Sequence, residues 1–183
     1  MTDLERLHHA APRIAIVGVG LLGGSLGLAL RQRGYAGTLI GVGRRQSSLD
    51  RAIARRCVDQ VTTDLVAAAS RADLILLATP LGTFETLLCA IAAVQRETAI
   101  LTDVGSTKGF VEAIAAAHLP HPNRFVGSHP MAGSETHGPD AADPDLFVAK
   151  PCVITSADRA EADATQAVRA LWRCVGMRLI ELT

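Results

Sequence analysis

The sequence is poor in aromatic residues and has no excess of either charge. Four Phe, one Tyr and one Trp occur among 183 residues, and 18 basic side chains balance 18 acidic ones. A protein that binds nucleic acid needs an electropositive surface facing the phosphates. The composition therefore argues against a nucleic-acid partner.

The four cysteines are widely spaced and include no CxxC pair, which disfavours a redox or metal site. Reduced, buried thiols are expected instead, and the residues concerned are Cys57, Cys89, Cys152 and Cys174. The histidines His118, His121 and His129 lack the cysteine or carboxylate spacing that would support a zinc site. No metal is predicted.

No long apolar segment is present either. None of the apolar runs approaches the ~18 residues of a membrane span. Residues 1–12 contain Asp3, Glu5 and Arg6 and lack the apolar centre of a signal peptide. We predict a cytoplasmic protein with no membrane partner, in which residues 1–12 are a loose tail.

Residues 13–34 predict a strand, a tight glycine turn and a helix. The apolar run 14–17 is typical of a strand buried on both faces. It leads directly into a GxGxxG turn, in which Gly18 permits the sharp bend, Gly20 lets the backbone approach a pyrophosphate and Gly23 lets helix and strand pack closely. A lone GxGxxG is weak evidence, but the flanking strand and helix patterns supply its confirming context. The predicted cofactor-binding residues of the turn are Gly18, Gly20, Leu21, Leu22 and Gly23.

The rest of the chain alternates apolar runs with helical patterns. Strands are predicted at 38–42, 73–78, 99–102 and 125–127, with two further apolar segments at 152–155 and 177–182. Helices are predicted from 47 or 48 to 56, then over 64–69, 83–94, 108–117 and 160–174. This order indicates βαβ units. Residues 13–183 are predicted to form an α/β domain of the Rossmann type, with a doubly wound, mostly parallel sheet and helices on both faces.

The residues after the second predicted strand indicate which dinucleotide binds. NAD-binding proteins carry an acidic residue about twenty positions beyond the glycine turn, where it bonds the ribose 2′-hydroxyl. This sequence has Arg44 and Arg45 there, followed by Ser47 and Ser48. Because a guanidinium pairs with a phosphate, these four residues predict a 2′-phosphate and hence NADP. The alternative is a solvated arginine pair ahead of a helix.

Two further strand ends are unusually polar. Ser106 follows the strand at 99–102, and it either caps the next helix or presents its hydroxyl to a ligand. His129 follows the strand at 125–127, where Pro130 holds it extended among small residues. A histidine titrates near neutral pH and can take up a proton during hydride transfer. The alternative for His129 is a structural or solvated histidine.

Together, the segments GLLGGSLGLAL, DVGSTK and GSHPMAGSETHG resemble the prephenate/arogenate dehydrogenases of tyrosine biosynthesis. The resemblance covers residues 13–183, and its second and third motifs are more specific than its first. It implies an NADP-dependent oxidative decarboxylation of prephenate and/or arogenate, to 4-hydroxyphenylpyruvate or tyrosine. It also implies roles for individual residues. His129 bonds the substrate 4-hydroxyl and assists its deprotonation, while Ser106 shares that hydroxyl. Glu135, beside Ser134, orders or gates the substrate pocket. The residues implied to line the nicotinamide side of the cleft are Thr79 and Pro80.

Members of this family continue beyond a point like Thr183 into a helical domain that forms a homodimer and adds substrate-binding groups. That domain is absent from this sequence. The choice between prephenate and arogenate is not legible, with NADP favouring arogenate slightly. Two alternatives remain: another NADP-dependent dehydrogenase of the β-hydroxyacid type, and a non-catalytic NADP-binding module.

Overall fold

The computed structural model describes residues 1–155 and 159–182. Over these residues the chain forms one sheet of eight strands with seven α-helices around it. The strands are β1 (Arg13–Val17), β2 (Thr38–Val42), β3 (Gln60–Thr62), β4 (Leu74–Leu77), β5 (Ile100–Asp103), β6 (Phe125–Pro130), β7 (Pro151–Thr155) and β8 (Arg178–Glu181). The helices are α1 (Asp3–Ala10), α2 (Leu21–Gln32), α3 (Gln46–Ala54), α4 (Leu65–Ala69), α5 (Phe84–Ala92), α6 (Lys108–His118) and α7 (Ala162–Cys174).

The strand order is β3-β2-β1-β4-β5-β6-β7-β8. All neighbours from β3 to β6 are parallel, β7 is antiparallel to β6, and β8 is parallel to β7. The strands that follow β1 are added first on one side of it, as β2 and β3, and then on the other side, beginning with β4. The order of the strands therefore reverses between β1 and β4. In a sheet of this kind ligands bind beyond the carboxyl ends of the strands at that reversal.

Both faces of the sheet are covered. Ile14, Ile16 and Leu76 belong to one hydrophobic core, whereas Val17 and Leu77 belong to a second core on the opposite face. Successive residues of a strand point to opposite faces, so two cores require strands that are apolar throughout. The predicted doubly wound, mostly parallel sheet is confirmed.

Several local predictions need correction. The sequence does not predict β3, because this strand has only three residues and two of them are polar. β6 continues to Pro130, so His129 lies on a strand and not in a loop. Helix α3 begins at Gln46 and ends at Ala54, whereas a helix from 47 or 48 to 56 was expected, and its N-cap Arg45 makes no side-chain bond. Of the four predicted buried thiols, Cys89 is exposed and Cys174 is only partly buried.

The prediction of a loose tail over residues 1–12 is wrong. Residues 3–10 form α1, which begins with a reciprocal capping box between Thr2 and Glu5. Leu7 is fully buried in the core, and α1 packs on α7. The sequence shows no long apolar stripe there, but the capping box and the burial of Leu7 and Ala11 hold the segment against the core.

Among the described residues no helix has the length and apolar character needed to cross a membrane.

Candidate active site

The glycine turn joins β1 to α2 with very little free space. Gly18 has φ +98°, and its N–H donates to the carbonyl of Val42 at 2.8 Å. A Cβ atom on Gly18 would lie 2.7 Å from the carbonyl oxygen of Ala78. Side chains are therefore excluded here by both conformation and contact.

Gly20 differs from the other two glycines of the motif. A Cβ atom on Gly23 would lie 2.2 Å from the carbonyl oxygen of Gly18, whereas one on Gly20 would meet no protein atom within 4 Å. Gly20 caps the N-terminus of α2, where backbone N–H groups lack helical partners. The space beside Gly20 is open for a phosphate-bearing ligand, and a helix N-terminus favours anions.

This space is part of a cavity of about 330 Å³ beyond the carboxyl ends of β1, β2 and β4. Seven of the predicted cofactor-binding residues line it: Gly18, Gly20, Arg44, Arg45, Ser48, Thr79 and Pro80. Four do not. Gly23 is buried behind the turn, Leu21 and Leu22 are partly buried on α2, and Ser47 is exposed on α3 outside the cavity.

The cavity rim carries positive charge. Arg44 and Arg45 are exposed, and neither side chain has a hydrogen bond or ion pair within the described part of the chain. No Asp or Glu is among the described residues that line the cavity. The glycine cradle and the open helix terminus therefore fit a dinucleotide, and the two arginines lie at the rim of its cavity.

One wall of the cavity comes from a segment that the sequence did not indicate. Gly138, with φ +85°, and Pro139 line the cavity. The segment is held from α3, because Arg51 Nε lies 3.0 Å from an Asp140 carboxylate oxygen and Arg55 donates to the carbonyl of Ala142 at 2.9 Å. The loop that follows His129 thus continues into the cofactor cavity.

Ser106 and His129 lie near the ends of two adjacent strands. Ser106 comes shortly after β5, and His129 is the last residue but one of β6. Ser106 is exposed just beyond β5, and it does not cap α6, whose N-cap is Thr107 without a side-chain bond. His129 is partly buried on β6 opposite Val153 of β7. Burial and the positive charge of Lys108 lower the pKa of His129. An imidazole of this kind is neutral near pH 7 and can accept a proton.

The loop after β6 is open. Ser134 and Glu135 are exposed and do not line the cavity, and the Ser134 hydroxyl lies 2.5 Å from that of Thr136. Among the described residues, no hydrogen bond or ion pair joins Glu135 to His129. The structure therefore encloses neither of these two predicted substrate residues.

A buried ion pair that the sequence did not indicate binds the backbone of Ser128, the residue before His129. Asp103 ends β5 with its side chain fully buried, and Lys108 Nζ lies 2.5 Å from its Oδ2 atom. Burial raises the pKa of Asp103 and lowers that of Lys108, while their attraction opposes both shifts. Both residues belong to DVGSTK, and a carboxylate on a buried strand end was the available signal.

The fold and this site define a dinucleotide-binding domain of the Rossmann type. The family described as prephenate dehydrogenase, nucleotide-binding domain, matches residues 26–181. The chain belongs to that family. The match begins after the glycine turn, so the turn is evidence independent of it.

Named relatives agree with the assignment. The cyclohexadienyl dehydrogenase of Zymomonas mobilis is 33% identical over 166 residues, covering 91% of this chain and 56% of that protein. The prephenate dehydrogenase of Bacillus subtilis is 28% identical over 93% of this chain and 46% of its own length. The chain thus spans about half the length of the curated relatives it matches.

Solved structures give the same picture. A prephenate dehydrogenase from Aquifex aeolicus in complex with hydroxyphenyl propionate and NAD+ superposes with a TM-score of 0.87 at 28% identity, covering 93% of this chain and 59% of that one. Arogenate dehydrogenase from Synechocystis gives 0.85 at 34% identity over the same shares. A 3-hydroxybutyryl-CoA dehydrogenase from Escherichia coli, at 20% identity and 0.71, shares the fold alone. The family match decides against the β-hydroxyacid-type alternative.

Proposed function

We propose that this chain is the cofactor-binding part of an NADP-dependent dehydrogenase that oxidatively decarboxylates prephenate and/or arogenate. The products are 4-hydroxyphenylpyruvate and tyrosine, respectively. The observation that carries the proposal is the arrangement at one edge of the sheet. The glycine cradle follows β1, Ser106 follows β5 and His129 lies near the end of β6, and these parallel strands end at the same edge.

The preference for NADP rests on Arg44 and Arg45. Both guanidiniums border the cavity, and neither is engaged by another described residue. A 2′-phosphate would bring them a partner, while the 2′-hydroxyl of NAD would find no carboxylate among the described cavity residues. The Aquifex relative contains NAD+, so this family includes proteins that bind the other cofactor.

In this mechanism the bound nicotinamide supplies the hydride acceptor. His129 accepts the proton of the substrate 4-hydroxyl as the carbon bearing it loses a hydride, and Ser106 hydrogen-bonds the same oxygen. The bond from the ring to its carboxylate then breaks. Its electron pair completes the aromatic ring, CO2 leaves, and the ring oxygen regains a proton to become a phenol. A neutral His129 is required for the first step, which agrees with its lowered pKa.

Three further roles complete the proposal. Thr79 and Pro80 line the nicotinamide side, where the Thr79 hydroxyl lies 2.8 Å from that of Thr83 and the Thr83 hydroxyl donates to the carbonyl of Pro80 at 2.7 Å. Glu135 and Ser134 order the substrate loop. We further propose that the enzyme is a homodimer whose contacts lie outside residues 1–183.

The test is reduction of NADP by the purified chain, alone and together with any downstream sequence that its gene encodes. Prephenate and arogenate are supplied in turn, and NADP is compared with NAD by absorbance of the reduced nicotinamide. Turnover of either substrate supports the dehydrogenase, and the ratio of kcat/KM values identifies the preferred substrate and cofactor. Tight NADP binding without turnover in any form of the protein would instead favour a non-catalytic NADP-binding module.

A further inference from the structure

We propose that Lys108 is a positioning residue for His129: its ammonium group holds the last residues of β6 against β5 and keeps a positive charge beside the imidazole. The catalytic importance of this arrangement rests on the proposed function above. The position and protonation of His129 can be measured independently of that function.

The backbone pairing of β5 with β6 stops before His129 is reached. The two strands pair at Leu101–Phe125 and Thr102–Val126. Beyond these pairs, the groups of Ser128 that face β5 are bound by side chains. Its N–H donates to Asp103 Oδ1 at 3.2 Å, and its carbonyl accepts from Lys108 Nζ at 2.6 Å. Side chains thus take the place of the sheet ladder at the residue before His129.

Lys108 contributes the charge that makes this replacement possible. Its side chain is 12% exposed and that of Asp103 is fully buried. Asp103 Oδ2 also accepts the N–H of Gly105 at 2.8 Å, and the Ser128 hydroxyl donates to the Asp103 carbonyl. A buried carboxylate without a cation is strongly unfavourable. Lys108 therefore stabilises Asp103, and Asp103 in turn fixes Ser128.

The same geometry acts on the imidazole. Burial and Lys108, which begins α6, lower the pKa of His129, while Asp103 on β5 raises it. From β7, Cys152 packs in the same region, and burial raises its pKa to about 12, so that it is uncharged near neutral pH. Among the described residues, Lys108 is the cation identified as disfavouring protonation of His129. Loss of its charge should shift His129 toward the imidazolium form.

The test is an NMR titration of His129 in the purified chain, with imidazole nitrogens labelled. In Lys108→Met the pKa of His129 should rise by about 0.5–1, because the neighbouring cation is gone. In Lys108→Arg, which keeps the charge, it should stay low. Lys150→Met is the matched control, since Lys150 is exposed and is the other lysine of the chain. An unchanged pKa in Lys108→Met overturns the electrostatic part of the proposal.

General loosening of the strand is distinguished by a second control. Thr102→Val removes the 3.0 Å contact between the Thr102 and Ser128 hydroxyls but leaves the ion pair intact. It should leave the pKa of His129 low. A rise in Thr102→Val equal to that in Lys108→Met would overturn the role of the charge. If Lys108→Met does not fold, Lys108→Gln replaces it, because glutamine keeps a donor for Asp103 and Ser128 without the charge.

Amide hydrogen exchange tests the positional part. Lys108→Met should speed exchange at Ser128 and His129 by about tenfold or more through local opening, while amides of β1 exchange as before. Equal acceleration in both strands, or none in β6, would overturn a local positioning role. These readouts do not need turnover. A failed dehydrogenase assay therefore leaves them intact, and their failure leaves the proposed function intact.

Discussion

The carbonyl oxygen of Gly18 occupies the space that a side chain on Gly23 would need, since a Cβ atom there would lie 2.2 Å from it. The clash would be between a Cβ atom, which is fixed to the backbone of α2, and a backbone oxygen of the turn. Neither atom can move away without opening the turn. Gly23→Ala should therefore destabilise the fold by about 1–3 kcal/mol, which urea unfolding of the free protein would measure.

Gly20→Ala is the matched control. Its Cβ would enter open space, and Gly20 has negative φ, so folding stability should stay within about 0.5 kcal/mol of the wild type. NADP affinity should nevertheless fall by about tenfold or more, because the methyl group lies where the pyrophosphate would approach. Tight NADP binding by Gly20→Ala would mean that the pyrophosphate binds elsewhere.

Arg44 provides a test of cofactor choice. Arg44→Ala should weaken NADP binding by about 10–100-fold, the range expected for a lost hydrogen bond to a charged group, and should leave NAD binding nearly unchanged. Isothermal titration with each cofactor measures this difference. Arg173→Ala serves as a control for net charge, because Arg173 is exposed on α7 and away from the cavity. Equal losses for NADP and NAD would contradict recognition of the 2′-phosphate.

His129 should control both the rate and its pH dependence. His129→Asn should lower kcat by about 10²–10⁴ with NADP affinity nearly intact, as expected for a positioned acid–base group. In the wild type the base form is needed, so kcat/KM should decrease as the pH falls through the pKa of His129. Since that pKa is lowered, the decrease should lie below the ordinary histidine value of about 6.5. A variant with wild-type kcat would remove His129 from the mechanism.

Asp73 directly precedes β4, at the amino-terminal end of the strand and away from the candidate site. It should affect stability alone. Burial acts to raise the pKa of Asp73, but hydrogen bonds from Arg13 and Arg96 outweigh it and lower the pKa. A carboxyl whose pKa is lowered by folding stabilises the protein above its unfolded value of about 3.9, and the effect is lost as pH falls through the folded value.

Asp73→Asn should consequently cost about 2 kcal/mol near neutral pH. The difference from the wild type should shrink at acidic pH, where both side chains are uncharged. Unfolding in urea across this pH range would show it. A constant difference at every pH would contradict a role for the Asp73 charge.

Leu7 tests the corrected view of the N-terminus. The side chain is fully buried on α1, so Leu7→Ala should destabilise the protein by about 2–4 kcal/mol. His9→Ala, on the same helix but exposed, should change stability by less than about 0.5 kcal/mol. Equal, small effects of both variants would restore the interpretation of residues 1–12 as a loose tail.

Patterns confined to a few neighbouring residues were legible in the sequence. The glycine turn and the apolar strands follow from spacing along one segment, and the structure has them where the sequence predicts them. Arg44 and Ser48 line the cavity, and their role in binding the cofactor stays a prediction. The end of β6 is harder to predict from the sequence, because pairing with β7 extends that strand through polar residues to Pro130. Leu7 was missed for a similar reason, since its burial depends on a helix more than 150 positions away.

The sequence by itself determined the fold class, the dinucleotide motif and the chemical types of the candidate site. These depend on local periodicity and on the conformational freedom of glycine, which short segments express on their own. Only the tertiary structure decided that Asp103 and Lys108 form a buried pair that binds Ser128, and that Gly138 and Pro139 close the cofactor cavity. Those contacts form only when separate segments come together at the carboxyl ends of the strands. The sequence pattern of one segment does not indicate which other segment it will contact.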